Sequence, residues 1–313
     1  MNGVRGVITA HEMALVEGEL ERATASGIES LSAAGKHIIR AGGKRLRSRL
    51  LLLSYVAAGG EHISRAVPLA VAVELLHTAS LIHDDIIDGS DLRRGRATIN
   101  SRLGDSLALL VGDFVFTRLF DIVADFDSRI IRVIADACLN VVEGEFLETQ
   151  TLGDMSLTED AYIRIVRQKT ASLFAASAEL GALLASAPEQ HTVALRGYGL
   201  KLGMAFQITD DTLDVVGERE NLGKPVALDL EQGKMSLATL FALSGSERAG
   251  EVLAARDTAR VTELLHDSGA LEYAMRKARQ YAVGAKRELA PLPESEAKGA
   301  LCDLADFAVA RDR

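Results

Sequence analysis

Residues 77–88 read HTASLIHDDIID and residues 207–214 read QITDDTLD, so Asp-Asp-x-x-Asp occurs twice, each time within an otherwise apolar, helically spaced stretch. At ~100° per residue, Asp84 and Asp88 share one helical face with Asp85 beside them. Asp210 and Asp214 repeat the arrangement with Asp211 alongside. Carboxylates crowded into an apolar setting repel one another and lose hydration, which is unfavourable unless a cation lies between them. One such motif alone is more often a solvated helix end or a salt-bridged face. Two copies in apolar helices require a fold that brings both acidic faces to a common space. The first is no EF-hand loop, because Ile86 occupies its third position and no glutamate closes it.

The rest of the chain is patterned for helices. Met13, Val16, Leu20, Ile28, Leu31 and Ile38 recur mostly at three- and four-residue steps through residues 11–40. Residues 44–58, 64–88, 101–124, 128–150, 158–186 and 190–217 read as further helices, and 234–313 as three or so more. The chain is 48% hydrophobic but only 4% aromatic, so its core must be built from Leu, Ala, Val and Ile, of which Ala and Leu favour helices. Glycine-rich breaks fall at 41–43, 59–60, 89–95 and 217–223, and no stretch alternates with period two long enough for a strand. The expected architecture is all-α, a single domain over residues 1–313 built as a bundle of long helices around a central cavity.

A net charge of −9 argues against nucleic acid or anionic lipid as a general partner. Cys138 and Cys302 form neither a disulfide framework nor a metal-binding pair and suit a reducing compartment. The N-terminus lacks the apolar run of a signal peptide, and the stretches at 66–76 and 106–116 are too short or interrupted to span a bilayer. The expected location is cytoplasmic.

Against that negative charge stands GGKRLRSR at 42–49, where Lys44, Arg47 and possibly Arg45 follow two glycines and open a helix. Glycines permit close backbone approach, a helix start favours anions, and arginine grips phosphate through paired hydrogen bonds. Arg93 and Arg94 follow the first aspartate motif, and His77 precedes Asp84 by seven residues, almost on the same face. His83, rotated off that face, reads as structural. Hard, clustered oxygens suit Mg²⁺, which bridges readily to phosphate. Together these groups suggest two diphosphate sites, one held through metal by the aspartates and one held directly by Lys44, Arg47, His77 and Arg94.

These residues resemble the trans-isoprenyl diphosphate synthase (polyprenyl synthetase) family, medium- to long-chain type. The resemblance rests on GGKRLR at 42–47, LLHTASLIHDDIIDGSDLRRG at 75–95, QKTAS at 168–172, GMAFQITDDTLD at 203–214 and LGKPVALDLEQGK at 222–234. It implies the isoprenoid synthase fold and sequential addition of isopentenyl diphosphate to an allylic diphosphate. It implies Asp84, Asp88 and Asp210 as direct magnesium ligands supported by Asp85, Asp211 and Asp214, with roughly three ions per site. By the same resemblance Lys44, Arg47, His77 and Arg94 bind isopentenyl diphosphate, Arg93, Lys169 and Lys224 hold the allylic diphosphate, and Lys234 covers the closed site. Thr170 and Gln207 are implied near the developing cation. A homodimer, and transient membrane contact for product release, are also implied.

The chain departs from the family pattern at Ala227, where glycine is usual, and at Ser236-Leu237-Ala238, where Thr-Leu-Pro is usual. In the family the residues just upstream of the first motif floor the product pocket, and here they are the small Ala79 and Ser80. A helical turn is ~5.4 Å, roughly one isoprene unit, so the pocket is expected to pass Leu76 and Ala72 and the product to exceed about C20, in the C25–C40 range. Ala79→Phe or Ala79→Tyr is expected to shorten it. The competing readings are a farnesyl or geranylgeranyl diphosphate synthase of the same family, a class I terpene cyclase, a head-to-head condensing enzyme and a regulatory synthase subunit. Aromatic scarcity and the doubled aspartate motif count against the cyclase, GGKRLR against the head-to-head enzyme, and the two intact motifs against the subunit.

Overall fold

A computed structural model describes residues 6–216, 232–245, 247–255 and 257–310. Helices α1 (Ala10–Ala23), α2 (Glu29–Arg40), α3 (Leu46–Ala57) and α4 (Val67–Ile87) lead to a hairpin of two short antiparallel strands, β1 (Leu92–Arg93) and β2 (Arg96–Ala97). Helices α5 (Ile99–Leu103), α6 (Asp105–Val123), α7 (Ser128–Gln150) and α8 (Glu159–Val166) follow. A π turn (Arg167–Ala171) joins α8 to α9 (Ser172–Leu184), and α10 (Glu189–Val216) comes next. The C-terminal portion holds α11 (Leu237–Gly245), α12 (Glu247–Ala254), α13 (Thr258–Asp267), α14 (Ala270–Glu288) and α15 (Glu296–Val309).

Several of the helices start where short polar side chains accept the first free amides. Thr9 and Glu12 form a capping box before α1, Asp127 accepts from Arg129 and Ile130 before α7, and Thr158 and Ser295 cap α8 and α15. α4 is apolar almost all round and is buried by α1, α3, α6 and α9. α10 packs along α9 and α14. Its Leu195, Tyr198 and Leu202 belong to the main apolar core, and its Met204 and Ile208 to a second core shared with α8, α11, α13 and α14. One helix thus runs through both cores, which makes the all-α bundle a single domain.

Several boundaries differ from the periodicity. Residues 11–40 form two helices, because α1 ends at Thr24, whose hydroxyl turns back to Leu20 O, and Ser26 accepts from the amide of Ile28. Gly104, at φ 81°, separates α5 from α6, and 158–186 is interrupted by the π turn. The C-terminal portion holds more and shorter helices than expected. Among the described residues, no helix is long and apolar enough to cross a membrane.

The positions of the two motifs follow from this framework. Asp84 and Asp85 lie in the last turn of α4 with Asp88 as its C-cap, and Asp210, Asp211 and Asp214 fall in the last two turns of α10. A helix C-terminus carries partial negative charge, so both carboxylate clusters sit where their own helices repel them. Only compensating positive charge makes such a placement stable.

Candidate active site

Two cavities meet at this point. The first, about 1150 Å³ including space open to solvent, is lined by Asp84, Asp88, Asp210 and Asp211 together with Glu148, Lys169 and Lys234. The second, about 1560 Å³ on the same basis, is lined by Lys44, Arg47, His77 and Arg94. Asp84, Arg93, Lys169, Thr170, Gln207 and Asp210 line both and form the waist between them. An acidic chamber and a basic chamber therefore share one wall.

The acidic chamber is balanced by lysines. Lys169 Nζ hydrogen-bonds Glu148 at 2.5 Å and ion-pairs Glu145 at 2.5 Å, while Lys234 Nζ lies 3.0 Å from Asp88 and 3.6 Å from Glu148. Gln232 Nε2 donates to Asp88 O at 3.2 Å, which fastens this segment across the end of α4. Burial pushes the Asp84 carboxyl up against the pull of Lys169 and Arg93. Burial and the Asp84 charge push Glu145 up to about 7. Burial disfavours the Lys169 ammonium, but Glu148, Asp84 and Glu145 outweigh it and raise its pKa above the ordinary value.

The remaining acidic positions divide. Asp85 is buried, accepts from Arg93 Nε at 2.7 Å and lines neither cavity. Asp211 accepts from Tyr162 and from Gln207, and Asp214 lines neither cavity. Among the described residues, no three acids, histidines or cysteines close into a ready-made metal cage. Magnesium needs none: it is held by one or two carboxylates and keeps waters or phosphate oxygens as its other ligands. Asp84, Asp88 and Asp210, hard oxygen donors on one chamber wall, fit that requirement.

In the basic chamber, Arg47 lies with its guanidinium 4.7 Å from the Phe174 ring, and burial lowers its pKa to about 10. Burial, with Arg47 and Arg94 nearby, holds the His77 pKa well below the ordinary range, so its imidazole is neutral at pH 7. Gly43 adopts φ 153°, and a Cβ there would stand 2.6 Å from Arg94 Nη1, so glycine is what lets the Arg94 guanidinium lie against this loop. Lys44 Nζ sits 5.3 Å from the Phe307 ring of α15.

Arg45 has another role than the phosphate grip raised from the sequence. It is buried and, although it borders the basic chamber, its guanidinium is engaged by the protein, donating twice to Glu17 at 2.8 and 3.0 Å and once to Ile39 O at 2.9 Å. Glu74 lies 3.7 Å from it and accepts from the amide of Ser48 at 3.1 Å. One amide of the α3 N-terminus, read from the sequence as an anion site, is thus already capped by a buried carboxylate. Glu74→Ala is expected to lower the unfolding free energy by about 3 kcal/mol, because Arg45 loses a buried counter-charge; Glu74→Gln should lose less than half of that in urea titrations.

Sequence reasoning missed Glu145 and Glu148. Their signal was the run EGEFLE at 143–148, two acids three residues apart on an amphipathic helix with a glycine beside them. Of the length-setting pair, Ser80 lines the basic chamber, whereas Ala79 is buried in the core and lines neither cavity. Asp84, Ser80 and Leu76 are spaced by four residues along α4, and Leu76, Val73 and Ala72 pack with Leu173, Ala176 and Leu180 of α9 around an apolar crevice too narrow for a water-sized group. His83, read as structural, lies 3.5 Å from Asp113 of α6 and lines neither chamber. Lys224 and Ala227 lie outside the described residues.

A helical bundle with an acidic and a basic chamber joined at a lysine-bearing waist is the framework of an enzyme acting on two diphosphate esters. The chain belongs to the polyprenyl synthetase family, whose model matches residues 28–267. It is 39% identical over 297 residues to a short chain isoprenyl diphosphate synthase from Methanothermobacter thermautotrophicus, covering 91% of each chain. It is 36% identical over 316 residues to the octaprenyl diphosphate synthase of Escherichia coli, covering 98% of each. Among solved structures it resembles a polyprenyl synthase from Caulobacter crescentus complexed with calcium and isoprenyl diphosphate. That match has TM-score 0.95 and 37% identity, covering 100% of this chain and 98% of the other.

Proposed function

We propose that this chain, acting as one catalytic domain over residues 1–313, condenses isopentenyl diphosphate with an allylic diphosphate in a magnesium-dependent reaction. As a polyprenyl synthetase it is a prenyltransferase. The observation that carries the finer reading is the shared waist: Lys169, Thr170, Gln207, Asp84 and Asp210 border both the acidic and the basic chamber. One diphosphate ester in each would bring its reactive carbon there.

In this reading Asp84, Asp88 and Asp210 would hold magnesium, about three ions per site, with Asp85, Asp211 and Asp214 supporting them. Bound magnesium supplies positive charge that stabilises the departing diphosphate. Lys169, Lys234 and Arg93 add charge on the same side, Lys169 being held for this by Glu145 and Glu148, and by family resemblance Lys224 also binds the allylic diphosphate. Lys44, Arg47, His77 and Arg94 orient isopentenyl diphosphate, with the neutral imidazole of His77 able to donate one hydrogen bond. Thr170 and Gln207 turn oxygens toward the positive charge that develops at the allylic carbon. The allylic C–O bond breaks, the double bond of isopentenyl diphosphate adds to the resulting cation, and loss of a proton to the departed diphosphate completes a chain longer by five carbons.

The product is proposed to exceed about C20, in the C25–C40 range, because on the Asp84 face of α4 only the small Ser80 precedes Leu76; Asp84 to Ala72 spans ~18 Å of helix. Ser80→Phe is expected to shorten the product by one or more isoprene units when products are dephosphorylated and sized. Ala79→Phe, also expected to shorten it, has to displace packed neighbours and should lose about 1–3 kcal/mol of stability besides.

A homodimer is supported by an apolar stripe on α7, where Ile131, Leu139, Val142 and Phe146 are 40–65% exposed, beside exposed Leu107, Leu110 and Phe120 of α6. Sedimentation at micromolar protein tests it. A cytoplasmic location, with transient membrane contact to discharge the product, goes with this reading.

The decisive experiment incubates the purified chain with Mg²⁺, labelled isopentenyl diphosphate and C10, C15 or C20 allylic diphosphates. A ladder ending beyond C20 supports the whole proposal. A stop at C15 or C20 keeps the reaction and overturns the length, and no elongation with any primer overturns the reaction for the isolated chain.

A further inference from the structure

Tyr162 was not among the residues singled out by sequence. It lies on α8, one turn before the π turn that carries Lys169 and Thr170, and its ring is buried in the second core. Its hydroxyl donates to Asp211 Oδ2 at 2.5 Å. The other oxygen of that carboxylate accepts from Gln207 Nε2 at 2.6 Å, one turn earlier on α10. The amide oxygen of Gln207 in turn accepts from Thr170 Oγ1 at 2.8 Å. These bonds form one chain, Tyr162 to Asp211 to Gln207 to Thr170, ending at the waist between the two chambers.

The chain has a direction. A primary amide turned by 180° would set its oxygen against the Asp211 carboxylate and its NH₂ toward the Thr170 hydroxyl. The negative carboxylate therefore selects the orientation with the amide oxygen facing the waist. That selection holds only while Asp211 keeps its own position. Tyr162, anchored by its buried ring in a different helix, fixes one of its oxygens. An oxygen held in place beforehand stabilises a developing positive charge without reorganising during the reaction.

We propose that Tyr162 is a positioning residue for the condensation, acting through Asp211 to hold the Gln207 amide oxygen toward the reacting allylic carbon. This rests on the reading that Thr170 and Gln207 face the developing cation. It predicts that Tyr162 contributes to the transition state and little to the binding of either neutral-carbon substrate.

The test uses Tyr162→Phe, which keeps the buried ring, with Gln207→Leu and the double variant. In Tyr162→Phe, kcat should fall roughly tenfold, in keeping with one lost hydrogen bond to a charged acceptor, while KM for both diphosphates stays within about twofold. An ammonium analogue of the allylic diphosphate, positive at the reacting carbon, should bind roughly tenfold more weakly, while an uncharged thio analogue binds as before. The double variant should be no slower than Gln207→Leu alone, because both act through one chain. Wild-type kcat and ammonium-analogue affinity in Tyr162→Phe, with Gln207→Leu impaired, would overturn the proposal and leave the reading of the waist intact. Wild-type behaviour in both single variants would remove that reading and the proposal with it. A raised magnesium requirement in Tyr162→Phe, with unchanged preference between the two analogues, would place the tyrosine in support of metal binding and overturn the proposal.

Discussion

Asp84→Asn is expected to lower kcat by roughly 10³-fold, about 4 kcal/mol of lost charge stabilisation, and to raise the magnesium concentration needed for half-maximal rate. Asp84 borders both chambers, and its carboxyl is pushed up by burial, with Glu148 and Asp88 adding to the rise against the pull of Lys169 and Arg93. Asparagine keeps the shape and removes the charge, so the helix should remain folded. Asp85→Asn is the informative contrast. Asp85 is only 2% exposed and holds Arg93, so its replacement should lower unfolding free energy by about 1–3 kcal/mol and loosen the allylic diphosphate through Arg93. The magnesium requirement should rise far less than in Asp84→Asn. Rates measured across a magnesium titration, with urea unfolding of both variants, separate the two neighbours. Equal magnesium dependence in both variants would show that the adjacent acids act as one cluster, and the division of roles drawn from their burial would be wrong.

That division marks the limit of what the sequence could convey. Asp-Asp-x-x-Asp was legible because helical periodicity places Asp84 and Asp88 on one face, and the surrounding apolar residues make the charge conspicuous. Which neighbour turns inward depends on Arg93, whose position comes from the short hairpin after α4, and no spacing rule encodes it. GGKRLR was legible as a basic site for the same reason, yet the Arg45 guanidinium is taken up by Glu17, 28 residues earlier, and faces Glu74, on another helix. Helices were visible wherever an apolar stripe ran unbroken. The π turn was invisible, because RQKTA at 167–171 continues the helical pattern and nothing in its spacing marks a widened coil. Such turns occur often at functional sites, and here the widened coil carries Lys169 and Thr170 to the waist.

The close contact behind that turn makes the last prediction. Gly144 lies on α7 directly beneath it, and a Cβ at that position would stand 2.3 Å from the Lys169 amide nitrogen and 2.6 Å from its Cα. Both atoms are backbone, so no rotation of a flexible side chain can relieve the overlap; the turn itself has to retreat. A displacement on the order of 1 Å at a reacting group can lower a rate by about 10²-fold, and Gly144→Ala is expected to do so. It should also lose about 1–3 kcal/mol of stability from overpacking, despite the better helix propensity of alanine. Gly18→Ala on α1 supplies the control, since a Cβ there meets nothing within 4 Å. That variant should gain about 1 kcal/mol and keep full activity. The lysine is already tied to Glu145 and Glu148 on the same helix as Gly144, so a retreat of the turn pulls the ammonium from both carboxylates at once. Binding of an allylic diphosphate to Gly144→Ala should weaken together with kcat, unlike Tyr162→Phe, where only the rate falls. If Gly144→Ala retained wild-type turnover, the π turn would be free to move without consequence, and Lys169 could not be the rigidly placed charge that the two glutamates imply.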